Sequence, residues 1–165
     1  MINRILFATD LSPFSAHTLE HVTNLALHHR ARVIVVHAVE PLGGLAQAVT
    51  SKFESEAEIR ALLRSIKERI LESLTDELSE SREALDCFDD VLVRQGRPAE
   101  IILKLATELN GDLIVLGSHG PQSMGRNVLG SVTSRVLQLS KVPVYMVPMS
   151  TPIPPRSIAP AASFR

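Results

Sequence analysis

The chain has no tryptophan, one tyrosine and one cysteine among its 165 residues. A single cysteine, Cys87, excludes an intrachain disulfide, and it reads as a small buried or half-buried hydrophobe rather than a redox centre. The formal net charge is only −1 and no basic block occurs, which argues against a nucleic-acid partner held through a positive face. No apolar run is long enough to span a bilayer. The N-terminus, Met1 to Phe7, runs straight into a strand-like segment without the layout of a signal peptide, so a cytoplasmic location is expected. Motifs are missing as well. There is no G-x-x-x-x-G-K-[ST], no G-x-G-x-x-G after the first strand and no hydroxyl- and glycine-rich loop of the flavodoxin kind. Asp10 has no acidic companions at neighbouring strand ends, as a phosphoacceptor domain would need. Paired carboxylates, a nucleophile beside a base and a lysine aimed at phosphates are also absent, so an enzyme is not expected.

What is present is a hydrophobic fraction of 45%, enough for one core and one domain at this length. Apolar strands alternate with amphipathic helices. The first strand is Arg4 to Thr9, followed by Ser12 as a helix N-cap with Pro13 at the first helical position. Leu19, Val22, Leu25 and Ala26 share one face of that helix, which ends near His28-His29-Arg30. Arg32 to Val39 is almost continuously apolar, as a strand buried on both faces should be. A helix from about Ser51 to Ala84 has the stripe Ile59, Leu62, Ile66, Ile70, Leu74 and Leu78. Unbroken, it would reach about 50 Å, so a kink or a protruding end is expected. A strand at Phe88 to Arg94 leads into a helix with Ile102, Leu105, Ala106 and Leu109 inward, closed by Asn110-Gly111 as a left-handed cap. Asp112 to Leu116 forms the fourth strand. A last helix buries Leu129, Val132, Val136 and Leu139, and Val142 to Val147 forms a fifth strand.

This order predicts an α/β fold, an open five-stranded parallel sheet with helices on both faces. Pro143 in the last strand and Pro148 just after it place that strand at an edge. Residues 1–148 make one domain, and 149–165, rich in Pro, Ser and Ala, a tail.

The most informative stretch follows the fourth strand: Gly117-Ser118-His119-Gly120, nine intervening residues, then Gly130-Ser131-Val132. A strand that empties into glycines and then opens a helix makes a bed for phosphate, because glycine admits close backbone approach and the first helical N–H groups point at the anion. In a doubly wound sheet the ligand crevice lies beyond the carboxyl ends of the strands, where strand order reverses. Asp10, just past the first strand, and the glycine loop past the fourth then face each other across one crevice.

These residues resemble the universal stress protein family, whose nucleotide-binding members have G-x2-G-x9-G-[ST] after the fourth strand. Gly117, Gly120, Gly130 and Ser131 stand at that spacing. The resemblance extends to Ile5-Leu6-Phe7-Ala8-Thr9-Asp10-Leu11-Ser12, to Gly96-Arg97-Pro98-Ala99, to Gly130 through Val136 and to Lys141-Val142-Pro143-Val144. It implies strand order 3-2-1-4-5, an adenine nucleotide α-hydrolase-like fold, and a regulator in stress response that binds ATP (AMP or ADP being alternatives), with Mg or Mn carried by the phosphates. It also implies roles: Asp10, with Thr9 beside it, on the ribose; the backbone of Val39 on the adenine; Gly117 beside the ribose and α-phosphate; Gly120, Gly130, Ser131 and Val132 around the phosphates. His119 in the loop reads as a phosphate contact or a solvent-exposed spacer, and Arg126 as a γ-phosphate contact or a plain surface residue. Part of the family binds no nucleotide, so an interaction module of the same fold is the competing reading, and slow ATP hydrolysis a third.

His17 and His21, one helical turn apart, have a zinc-compatible spacing but no third ligand, and no metal site is expected. His37 reads as a hydrogen-bonded structural histidine and Tyr145 as a packing or interface residue. The apolar edge strand, 142–147, predicts a homodimer through antiparallel strand pairing.

Overall fold

The computed structural model describes residues 1–12, 15–40, 55–118 and 129–148. The strands are β1 (Arg4–Ala8), β2 (Arg32–Val39), β3 (Phe88–Gln95), β4 (Leu113–Gly117) and β5 (Val144–Val147). The helices are α1 (Ser15–His29), α2 (Glu56–Glu77), α3 (Arg82–Asp86), α4 (Pro98–Glu108) and α5 (Ser131–Leu139). The sheet has the expected order, β3-β2-β1-β4-β5, with every neighbouring pair parallel.

Covering both faces explains the composition of the central strands. Ile5, Phe7, Val33, Val35 and Val115 look toward α1 and α2, where Leu19, Val22, Ile70 and Leu74 close the first core. Leu6, Ile34, Val36, Ile114 and Leu116 look the other way, toward Ile102, Leu105 and Ala106 of α4 and Val136 of α5. Alternate residues of each strand therefore need apolar side chains on both sides.

Helix ends follow from local chemistry. Asn110 adopts φ 50°, with Asn110 N–H on the Thr107 carbonyl (3.3 Å) and Gly111 N–H on that of Ala106 (2.9 Å). That is a Schellman closure. Arg30 ends α1 in the same way, at φ 54°, with Ala31 N–H on Ala26 at 2.9 Å. Asp112 falls outside β4 and joins it to β1. Its Oδ2 accepts from the N–H groups of Asn3 (2.8 Å) and Arg4 (3.0 Å), which hold this carboxyl below the ordinary aspartate range.

Three expectations need correction. The long helix is two helices, separated at Leu78–Ser81. Ser79 Oγ donates to the Asp76 carbonyl (2.8 Å), and Ser81 Oγ accepts from Ala84 N–H (3.2 Å), so serines terminate one helix and cap the next. A capping box starts α2 at Ser55 and Glu58, with Glu58 N–H on Ser55 Oγ and Ser55 N–H on Glu58 Oε2. Second, Leu62 is 50% exposed, and Leu63 packs on the core instead. Third, Leu129 and Leu139 are exposed, and α5 buries Thr133 and Val136. Leu129 lies ahead of the helix, and Leu139 is its last residue.

Candidate functional site

β1 lies between β2 and β4, and its end is in register with theirs: Ala8 pairs with Val36 on one side and Leu116 on the other. The chain leaves β1 toward α1 on one face, and leaves β4 toward α5 on the other. The switch point is therefore between β1 and β4, and Asp10 and Gly117 stand at its two rims.

On the β1 side, Thr9 N–H extends the ladder to the Val36 carbonyl at 3.0 Å. The Thr9 carbonyl is 2.8 Å from His37 Nδ1. A carbonyl can only accept, so Nδ1 of His37 carries the proton, and the structural role expected for His37 holds. Leu11 then takes φ 61°, with its N–H on Thr9 Oγ1 (3.2 Å), and Ser12 N–H bonds Asp10 Oδ1 at 2.9 Å. Asp10 thus folds its own turn through one carboxylate oxygen, as short acidic side chains do. Ser12 is buried, and its hydroxyl has no hydrogen-bond partner among the described residues. The described part of α1 begins at Ser15, and Pro13, expected at the first helical position, lies outside the described residues.

On the β4 side, the Gly117 carbonyl accepts from Thr133 Oγ1 at 2.8 Å. Ser118 N–H bonds the Val147 carbonyl (2.8 Å), and Gly130 N–H bonds the Ser118 carbonyl (3.0 Å). Gly130 is the N-cap of α5, extended at φ −58° and ψ 149°, and as a glycine it has no side chain with which to cap the helix. The first intrahelical bond is Ser134 N–H to Gly130 O at 2.9 Å. The N–H groups of Ser131, Val132 and Thr133 precede it and carry the positive end of the helix dipole. Ser131 is exposed and Val132 half-buried.

At the end of β2 the strand parity matters. The Val39 carbonyl is occupied by Gly96 N–H at 2.9 Å, on the β3 side. Val36 turns its carbonyl the opposite way, to Thr9. Backbone groups alternate along a strand, so Ala38 turns its N–H and carbonyl toward the β1 side, past the end of β1. Sequence reasoning fixed on Val39 and passed over Ala38 and Thr133. The string Gly130 through Val136 contained Thr133, and a hydroxyl on the inward face of an apolar helix was its signal.

His119, Gly120 and Arg126 lie outside the described residues. Thr9 and Asp10 follow the end of β1, Gly117 ends the adjacent β4, and Gly130, which opens α5 ahead of Ser131 and Val132, is bonded to Ser118 just past it. No group of three or more His, Cys, Asp or Glu side chains that could hold a metal occurs among the described residues. His17 and His21 stack edge to face at 4.9 Å, and His21 Nδ1 is 3.1 Å from the Tyr145 hydroxyl, which ties β5 to α1. No helix among the described residues is long and apolar enough to cross a membrane.

Fold and crevice together define an open, doubly wound α/β protein with a helix that starts at a glycine N-cap beside its switch point. Residues 1–148 match the model of the universal stress protein family, and the chain belongs to that family. It is 30% identical over 154 residues to universal stress protein MJ0577 of Methanocaldococcus jannaschii, covering 89% of this chain and 95% of that one. It is 35% identical over 151 residues to a universal stress protein of Thermus aquaticus, covering 89% and 99%. The solved structure of MJ0577 superposes with a TM-score of 0.72 at 27% identity, covering 92% of this chain and 99% of the other. A universal stress protein in complex with cAMP has a TM-score of 0.55 at 25% identity, covering 90% and 98%. One from Archaeoglobus fulgidus in complex with dAMP has the same score and identity, covering 88% and 98%.

Proposed function

We propose that this protein is a nucleotide-dependent regulator in stress response that binds ATP in the crevice between β1 and β4. The observation that carries the reading is the placement of Asp10 just beyond β1, and of Gly130, Ser131 and Val132 at the start of α5 beyond β4, at the carboxyl ends of two adjacent parallel strands. A carboxylate suits ribose hydroxyls, and bare helical amides suit phosphate oxygens. The complexes of family members with cAMP and dAMP support an adenine nucleotide as the ligand class. Thr9 and Asp10 face the sugar, Gly117 lies beside the α-phosphate, and Ser131 adds its hydroxyl to the amides of Val132 and its neighbours. His119 and Gly120 complete the phosphate bed by resemblance. The adenine edge meets the end of β2, where Ala38 rather than Val39 turns its amide and carbonyl to the β1 side. Mg or Mn enters on the phosphates.

The domain is residues 1–148 with a tail at 149–165, it acts in the cytoplasm, and it binds rather than turns over its nucleotide. It forms a homodimer through the edge strand at 142–147, beside which α5 exposes Leu137 and Leu139. Mass spectrometry of the supernatant from heat-precipitated, freshly purified protein should find an adenine nucleotide. Mg-ATP should raise the melting temperature, and Asp10→Ala should weaken ATP binding by about tenfold through the lost charge-assisted hydrogen bonds. An empty supernatant together with no melting shift would assign the protein to the interaction modules of the fold.

A further inference from the structure

A cavity of about 350 Å³ opens between α1 and α2 at the carboxyl end of the sheet. Phe7 and Val35 form its floor, and Leu19, Ile70 and Leu74 its sides. It belongs to the α1–α2 face, and neither Gly117 nor any residue of α5 lines it. Its volume is at the lower end of small-molecule pockets, about 300–1,000 Å³.

Two polar groups on this cavity have no partner among the described residues. Ser12 lines it, is 8% exposed, and has a buried hydroxyl that bonds nothing among the described residues. A buried hydroxyl without a partner is unfavourable unless something else satisfies it. Arg69 lines it from α2 and makes no ion pair or hydrogen bond with any described residue. The other charged wall group, Glu77, accepts from Ser73 Oγ at 3.1 Å, which directs the carboxylate toward Ser73 without pairing its charge. The cavity therefore offers an exposed guanidinium and a buried hydroxyl beside an apolar floor.

We propose that this cavity is a second ligand site, for a small amphipathic carboxylate whose apolar body lies on Phe7, Val35 and Ile70 and whose carboxylate meets Arg69. A guanidinium fork matches a carboxylate in charge and geometry. Thr9 and Ser12 line the cavity and Asp10 lies between them, so the site shares a wall with the crevice, yet its existence does not depend on nucleotide binding.

The test is a titration of the full, nucleotide-free chain with octanoate, followed by NMR, with 1-octanol as the uncharged control. The expected result is a saturable one-to-one response confined to residues around Leu19, Ile66 and Ile70. Octanoate should bind at least about tenfold tighter than octanol, consistent with a charge-assisted contact. Arg69→Gln should remove that preference, and Ser73→Phe, at an exposed position on the rim, should block both probes while leaving the melting temperature of the free protein unchanged. The proposal is overturned if the shifts do not saturate, or if they appear equally at the exposed Leu137 and Leu139. It is overturned as well if octanol binds as tightly as octanoate, or if Arg69→Gln binds octanoate as the parent does.

Discussion

His37 Nδ1 donates to the Thr9 carbonyl at 2.8 Å, joining the end of β2 to the segment that presents Asp10. Thr9 N–H still pairs with the Val36 carbonyl while its own carbonyl takes the His37 ring, so the backbone just ahead of Asp10 is held at both its polar groups. His37→Leu should weaken ATP binding about fivefold, the equivalent of one neutral hydrogen bond of about 1 kcal/mol. His37→Asn, whose amide N–H occupies nearly the place of Nδ1–H, should restore most of it. Isothermal titration of the three proteins decides the matter. Equal affinities for all three would show that the bond does not position the site.

Thr133 does the corresponding work on the second rim, from its buried place in α5 to the Gly117 carbonyl. Thr133→Val keeps the shape and removes the donor, leaving a carbonyl short of a partner. The expected loss is about 1–2 kcal/mol in urea unfolding, with Thr133→Ser closer to the parent. A Val variant as stable as the parent would mean that water serves the carbonyl equally well.

Gly111 has a packing reason to lack a side chain. A Cβ there would come within 2.4 Å of Leu6 Cδ1, deep in the second core. Gly111→Ala should cost about 1–3 kcal/mol, the usual penalty of overpacking. Combining it with Leu6→Ala should make the two costs less than additive, and strict additivity in a double-mutant cycle would count against the contact.

Asp112 gives the acid limb of stability a named contributor. Its carboxylate accepts from Asn3 and Arg4 N–H, so its folded pKa is lowered relative to the unfolded value of about 3.9. A lowered folded pKa means that the contribution is complete above the unfolded value and is lost as pH falls through the folded one. Stability should therefore fall below about pH 4, and Asp112→Asn should show a shallower decline in that window. Parallel pH-dependence in the two proteins would remove Asp112 from the account.

Light scattering at micromolar concentration should give the mass of a dimer. Tyr145→Lys places a charge on the edge strand and should shift the protein toward monomer, because edge charges oppose strand pairing. The loss of the His21 contact is controlled by Tyr145→Phe, which should remain dimeric. A monomeric parent would refute the edge-strand interface.

The sheet was legible in the sequence because strands buried on both faces have few alternatives to a parallel α/β arrangement. β2 has the bounds expected from its apolar run, and Asn110-Gly111 closes α4 as its chemistry requires. What escaped was set by features with no side-chain period. The break at Leu78–Ser81 lies inside an unbroken hydrophobic stripe and is made by serine hydroxyls. Leu63 replaces Leu62 on the core because a helix face has a direction that only its partner fixes. Ala38 and Val39 look alike as apolar residues, and only the pairing partners tell which one turns its amide to the crevice. The glycine spacing located the second rim, and Thr133, which braces it, needed three dimensions.

The bond between Gly130 N–H and the Ser118 carbonyl pins together two points twelve residues apart, immediately above β4. A clasp of this kind ties the entry of the last helix directly to the exit of the fourth strand. The start of α5 is thereby fixed above β4 by the backbone alone, without calling on any side chain of the residues between.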